Sequence, residues 1–406
     1  KEQTNLSPAH PFSTSLEAED QIAQRDLVIL IFHEGRQLIE VKQQEMPEQD
    51  IPPAAQAAKR PEEVENNEQL FLTGHHLEQY RHATYKAADY YLEALRRDPK
   101  DIRCNNAMGL LKLRQGHFAE AESYFSKAIA TVTQRNPNPY DGEAFYNLGW
   151  ALQMQEKYDQ AFDAFYKSTW NQAWQHAGFL NLARIACRRK DFSEALSLAG
   201  QSLVRNYHSH TARHLKAIAL RKLGRVNEAM VFIDESLKLD PFNFGCIAEK
   251  MAMSANTPAA ETLEKELLTL SRNWVHNFIE YSLDYAHAGL VDEAIALLEL
   301  HLRHANDIYP MACYTLGWLY QQKGDTARAG EIYGKAAALK PDYCFPNRIE
   351  EVVILKAATS FSATDAKASY YLGNFWYDKR QYDEAIQCWE TSVSIDDGFP
   401  TVHRNL

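Results

Sequence analysis

Residues Gly142–Gln175 read GEAFYNLGWALQMQEKYDQAFDAFYKSTWNQAWQ. Phe145, Leu148, Gly149 and Leu152 recur at i, i+3, i+4 and i+7, which is one face of a helix. A polar turn holding Tyr158 follows, and Ala161, Phe165 and Ser168 then mark one face of a second helix. Small Gly149 and Ala161 let the two backbones approach, while larger residues fill the gaps beside them. The stretch is therefore expected to fold as a helical hairpin that stacks with others of its kind.

The unit recurs. With the small residue of each first helix at position 8, units start at 68, 102, 142, 176, 210, 244, 275, 310, 344, 366 and 400, most of them 34 residues apart. Helix–turn–helix units of this period resemble tetratricopeptide repeats. The resemblance implies an all-α fold, a tetratricopeptide-repeat right-handed superhelical solenoid over residues 66–406. About ten hairpins are expected, irregular near 254–272 and 344–365, with a last unit cut short at the C-terminus. Kinks are expected at both irregular places, with a lone helix near Asn347–Ala358. One interval is 40 residues long and holds Arg135–Asp141, RNPNPYD, read as an ordered loop of the kind that binds in solenoids.

Residues 1–65 read differently. Leu27–Phe32 and Gln37–Val41 are β-branched and aliphatic runs flanking His33-Glu34-Gly35-Arg36, which predicts a hairpin. An isolated two-stranded hairpin is marginal in water. It is read as the tail of a β domain upstream, or as a ribbon docked on the helices. Pro47, Pro52, Pro53 and Pro61 among charged residues mark a linker.

The net charge is -11, and residues 1–70 carry 14 acids against 6 bases. A basic surface is what nucleic-acid binding needs, so nucleic acid is not an expected partner. No apolar run reaches the roughly 20 residues that span a bilayer, so no membrane segment is expected. Cys104, Cys187, Cys246, Cys313, Cys344 and Cys388 are scattered without a CxxC pair, which points to reduced thiols and a cytoplasm-like compartment.

Two stretches depart from generic repeat sequence: Leu70–Thr84, LFLTGHHLEQYRHAT, and Asn136–Ala144, NPNPYDGEA. Together they resemble the C-terminal half of large bacterial proteins in which an N-terminal β-rich domain of unknown function precedes such repeats. That resemblance implies a scaffold that docks its own β domain or a partner protein. It also implies a link to carbohydrate chemistry through the upstream domain, the repeats then being the regulatory or oligomerising part of a larger enzyme. No catalytic residue and no cofactor is expected here.

Repeats of this type line their concave groove chiefly with positions 2, 5, 9 and 12 of the first helix. Among these and their neighbours the candidates are Asn106, Glu143, Tyr146, Trp150, Arg184, Arg188, His214 and Arg221. Arg184, Arg188 and Arg221 come from adjacent repeats and are expected to form a basic strip suited to carboxylates. A second cluster is His75, His76, Glu78, Arg81 and His82. His75, Glu78 and His82 at i, i+3 and i+7 suit one helical face that holds a metal or a sugar. They equally suit a polar first helix packed on a β domain, and no metal is expected.

Overall fold

The computed structural model describes residues 26–43 and 56–406, with positions 4, 15, 23, 51 and 54 besides. The Pro- and acid-rich stretch 1–24 and Pro47, Pro52 and Pro53 of the linker lie outside the described residues, the isolated positions apart. The chain divides into two compact units, Lys1–Ala58 and Lys59–Leu406.

In the first unit, β1 (Val28–His33) pairs antiparallel with β2 (Arg36–Lys42). Glu34 and Gly35 both have positive φ, 48° and 81°, as a two-residue hairpin turn requires. Every residue of both strands is exposed.

The second unit is helical. Its hairpins are α1 (Asn67–Gln79) with α2 (Ala87–Arg97), α3 (Ile102–Arg114) with α4 (Phe118–Val132), and α5 (Glu143–Gln153) with α6 (Tyr158–Ser168). Then come α7 (Gln175–Arg188) with α8 (Phe192–Arg205), α9 (His210–Lys222) with α10 (Val226–Leu239), and α11 (Phe244–Met253) with α12 (Pro258–Leu270). α13 (Val275–His287) and α14 (Val291–His304), then α15 (Pro310–Lys323) and α16 (Thr326–Ala338), continue the series. α17 (Ile349–Phe361) stands alone, α18 (Ala366–Asp378) and α19 (Tyr382–Ile395) form the last hairpin, and α20 (Pro400–Asn405) ends the chain. The first helices start within a residue of the expected positions except at 344, where Cys344–Arg348 is loop and the unpaired α17 follows. The described residues thus hold nine hairpins and two unpaired helices.

The chemistry of these elements repeats. Asp101, Asp191, Asp325 and Asp365 each cap a helix by accepting from the backbone N–H three residues on. The residue two before each second helix from α4 onward is left-handed: Gly116, Glu156, Lys190, Gly224, Asn256, Gly289, Gly324 and Arg380. Asn256 keeps that turn in the 254–258 stretch, so a complete hairpin forms where the spacing suggested irregularity. Tyr158 opens α6 and is not in the turn.

Position 8 answers the large residue of the second helix. A Cβ on Gly149 would lie 2.5 Å from the Phe165 ring, and one on Gly373 would lie 2.5 Å from the Trp389 indole. Where the partner is the smaller Ile233, Ala217 packs in one cluster with it.

Non-adjacent hairpins also meet. Arg184 of α7 pairs with Asp284 of α13 at 2.6 Å, and Trp150 of α5 stands edge-on to His287 of α13. The first and last hairpins touch as well. Arg380 donates to the carbonyls of His82 and Arg81 at 2.7 and 2.8 Å, and Arg81 donates to the Asp378 carbonyl at 3.0 Å. His117 stacks on Trp376, and its Nε2 lies 2.8 Å from Gln381 Oε1.

Candidate functional site

In the middle hairpins the predicted arginines are taken up by contacts within the chain. Arg221 Nε lies 2.6 Å from Glu249 Oε2, and its Nη2 is 3.1 Å from Glu249 Oε1 and from Glu293 Oε1. Tyr285 also donates to Glu249, at 2.6 Å, and that carboxylate is fully buried. Arg188 donates to the Tyr158 hydroxyl at 2.6 Å. With Arg184 bound to Asp284, the expected basic strip is corrected: its guanidinium groups are engaged within the array. Asp284 and Glu293 come from hairpins further along the chain, Glu249 from the next hairpin and Tyr158 from the preceding one.

His214 is buried and is wedged against Tyr281, Tyr285 and the backbone at Gly245. Burial, reinforced by Arg221 and Arg184 and opposed by Asp284, brings its pKa down to about 4. Tyr146 stacks on Trp174 at 4.8 Å, and Trp150 packs edge-on against Phe165. All three make aromatic contacts within the array, with His214 buried and Tyr146 and Trp150 half-buried.

The N-terminal hairpins behave otherwise. A cleft of about 650 Å³ lies between α1, α3 and the start of α5, and it brings together candidates from both predicted groups. Asn106 and Glu143 line it alongside His75, Glu78 and Arg81. His75 stacks on Phe71 at 5.8 Å, and the Arg103 guanidinium covers the same Phe71 ring at 4.8 Å. Glu78 pairs with Arg114 and accepts from the Tyr91 hydroxyl at 3.1 Å. Burial first, then the Glu78 charge, raises the Tyr91 pKa, so the phenol is a fixed donor. Asn106 accepts from Asn147 at 3.1 Å. Asp141 caps the approach to α5 by accepting from the Glu143 N–H at 2.9 Å, and both acids sit at the positive end of that helix.

The second cluster does not share one helical face. α1 ends at Gln79, and Arg81 turns left-handed at φ 45°. His82 therefore leaves the helix, and its ring accepts from the backbone of Thr84 and Tyr85. His76 packs on Tyr80, away from the cleft. Arg103 and Arg114 were not among the candidates. Arg103 holds position 2 of its repeat, so the rule that found Asn106 also reaches it.

Burial pushes the thiols of Cys104, Cys187, Cys246 and Cys344 up to about 12, which keeps them protonated. No described helix is long and apolar enough to cross a membrane.

Family models of the tetratricopeptide repeat match residues 101–169, 180–244 and 312–343. Among solved structures, the chain resembles PilF of Pseudomonas aeruginosa at 18% identity and TM-score 0.42, over 52% of this chain and 93% of that one. A tetratricopeptide repeat protein from Parabacteroides merdae aligns at 15% identity and TM-score 0.40, over 64% of this chain and 98% of that one. A human IFIT1 dimer with PPP-AAAA aligns at 16% identity and TM-score 0.30, over 82% of this chain and 95% of that one. With helical hairpins throughout its second unit and tetratricopeptide-repeat models matched in three separate stretches, the chain has the fold of a tetratricopeptide-repeat array.

Proposed function

We propose that the chain is a scaffold that seats a polypeptide partner in the N-terminal cleft. Tetratricopeptide arrays are in general protein-interaction scaffolds. The observation that carries the location is the contrast along the inner helices. Arg184, His214 and Arg221 are engaged within the array, whereas the wall around Phe71, Asn106 and Glu143 stays open around about 650 Å³. Apolar Phe71, Ile102 and Leu110 alternate there with Arg103 and Arg114 on one side and Asp141 and Glu143 on the other. Mixed lining of this kind suits a peptide with mixed side chains better than a simple anion.

The partner we favour is a β-rich domain. The hairpin supports it: Val28, Ile29, Leu30, Ile31, Phe32, Leu38, Ile39 and Val41 are all exposed, on both faces of the ribbon. Strands apolar on both faces suit the interior of a covered sheet, and unpaired edges invite further strands.

Photocrosslinking tests the site. Benzoylphenylalanine replaces Ile102 in the full chain, which is irradiated in cells of the source organism. The expected result is a discrete adduct that maps to a β-rich domain and is lost with Arg103→Glu. An equal adduct from position Val231, exposed on α10, or one that survives Arg103→Glu, refutes the reading.

A further inference from the structure

The last hairpin frames a second cleft of about 670 Å³, with Phe345 on one side and Arg81 of the first hairpin at its edge. Its chemistry differs from that of the N-terminal cleft. Arg81, Arg380 and Arg404 face a single acid, Asp378. That acid is already matched, with Lys379 Nζ at 2.8 Å and Arg81 Nη2 at 3.4 Å. Arg380 donates to backbone carbonyls, which leaves its charge uncompensated. Arg404 is exposed and has no ion-pair partner among the described residues. A chain of net charge -11 thus holds a cleft with surplus positive charge.

Asn374 is oriented for a ligand. Its Oδ1 accepts from Trp389 Nε1 at 3.1 Å and from Asn405 Nδ2 at 3.0 Å. An indole N–H only donates, so the amide atom facing it is the oxygen. The amide NH₂ of Asn374 is then the free end, and Asn374 lines the cleft. Tyr370 and Tyr377 each sit about one helical turn from it, and Phe345 is also in the lining.

We propose that this cleft binds an acidic polypeptide segment that carries an aromatic side chain. Arg404 and Arg380 take the carboxylates, since guanidinium groups match carboxylates in charge and shape. Asn374 donates to a backbone carbonyl. Exposed Tyr377 and Phe345 take the ring by offset or edge contacts, with buried Tyr370 behind them. A peptide fits better than a nucleic acid, whose affinity draws on many cations along a surface. The site shares only Arg81 with the N-terminal cleft, and its partner has narrower chemistry.

Fluorescence anisotropy with a fluorescein-labelled peptide of sequence EDYEDYED and the full chain tests this. Saturable binding is expected, weakening as salt screens it. Arg404→Glu and Asn374→Asp are each expected to weaken it about tenfold or more. Asn374→Asp keeps an acceptor for Trp389 and Asn405, so it decides the matter if Arg404→Glu does not fold. Arg103→Glu, in the other cleft, is expected to leave it unchanged, which separates this inference from the proposed function. The inference is overturned by absent binding, by equal binding of KKYKKYKK, by loss through Arg103→Glu alone, or by tighter binding of a labelled oligouridylate.

Discussion

Replacing Arg221 by Met keeps a long apolar stem and removes the charge. The structure sets the size of the effect. Glu249 is fully buried, and Arg221 meets both of its oxygens, at 2.6 and 3.1 Å. After the substitution only the Tyr285 hydroxyl still donates to that carboxylate. Glu293 keeps Lys222 at 2.5 Å and is less affected. Removing one partner of a buried pair strands the other, at a cost of roughly 3–5 kcal/mol. An exposed pair would be worth about 0–1 kcal/mol. Long arrays depart from two-state unfolding, so urea denaturation is to be read with hydrogen exchange. Protection is expected to fall in α9, α11 and α14 first. Adding Glu249→Gln removes the stranded charge and is expected to restore part of the loss. A cost below about 1 kcal/mol for Arg221→Met, or a double variant no more stable than the single one, refutes the reasoning.

Gly149→Ala places a Cβ 2.5 Å from the Phe165 ring and is expected to cost about 1–3 kcal/mol in thermal denaturation. Adding Phe165→Leu is expected to relieve part of it. His214 gives a pH signature. Its folded pKa of about 4 lies below its ordinary 6.5, so the unfolded chain takes up the proton first as pH falls. Stability from this residue is present above 6.5 and drains by about 1.4 kcal/mol per pH unit between 6.5 and about 4. His214→Leu is expected to flatten that part of the curve in denaturation at stepped pH, whereas an unchanged slope contradicts the burial argument.

The fold was legible because the hairpin code is local. Gly149 and Phe165, or Gly373 and Trp389, lie 16 residues apart within one unit, and a fixed period exposes such pairs. The turn was half legible. Gly116, Gly224, Gly289 and Gly324 announce the left-handed position, but Glu156, Lys190, Asn256 and Arg380 adopt it without glycine. The short interval from 244 to 275 made residues 254–272 look irregular, yet Asn256 keeps the left-handed turn there and α11 and α12 form a hairpin. The candidate site was legible residue by residue, in Asn106, Glu143, His75, Glu78 and Arg81, but not as one cleft. The basic strip failed mainly for a long-range reason. Asp284 lies 100 residues beyond Arg184, and Glu293 lies 72 beyond Arg221, beyond a repeat-by-repeat reading; Glu249, 28 beyond Arg221 in the next hairpin, was within its reach.

The contact between the first and last hairpins changes what kind of polymer this is. An open solenoid behaves as a one-dimensional stack, whose ends fray and whose length is a free variable. Here Arg380 reaches the backbone of Arg81 and His82 across nearly 300 positions of sequence. The hairpin α18–α19 thereby packs on the turn of the hairpin α1–α2. Deleting or duplicating one hairpin between them, harmless in an open stack, is therefore expected to break this contact. The lone α17 packs against α15 and α18, so the path from one hairpin to the next runs there through a single helix.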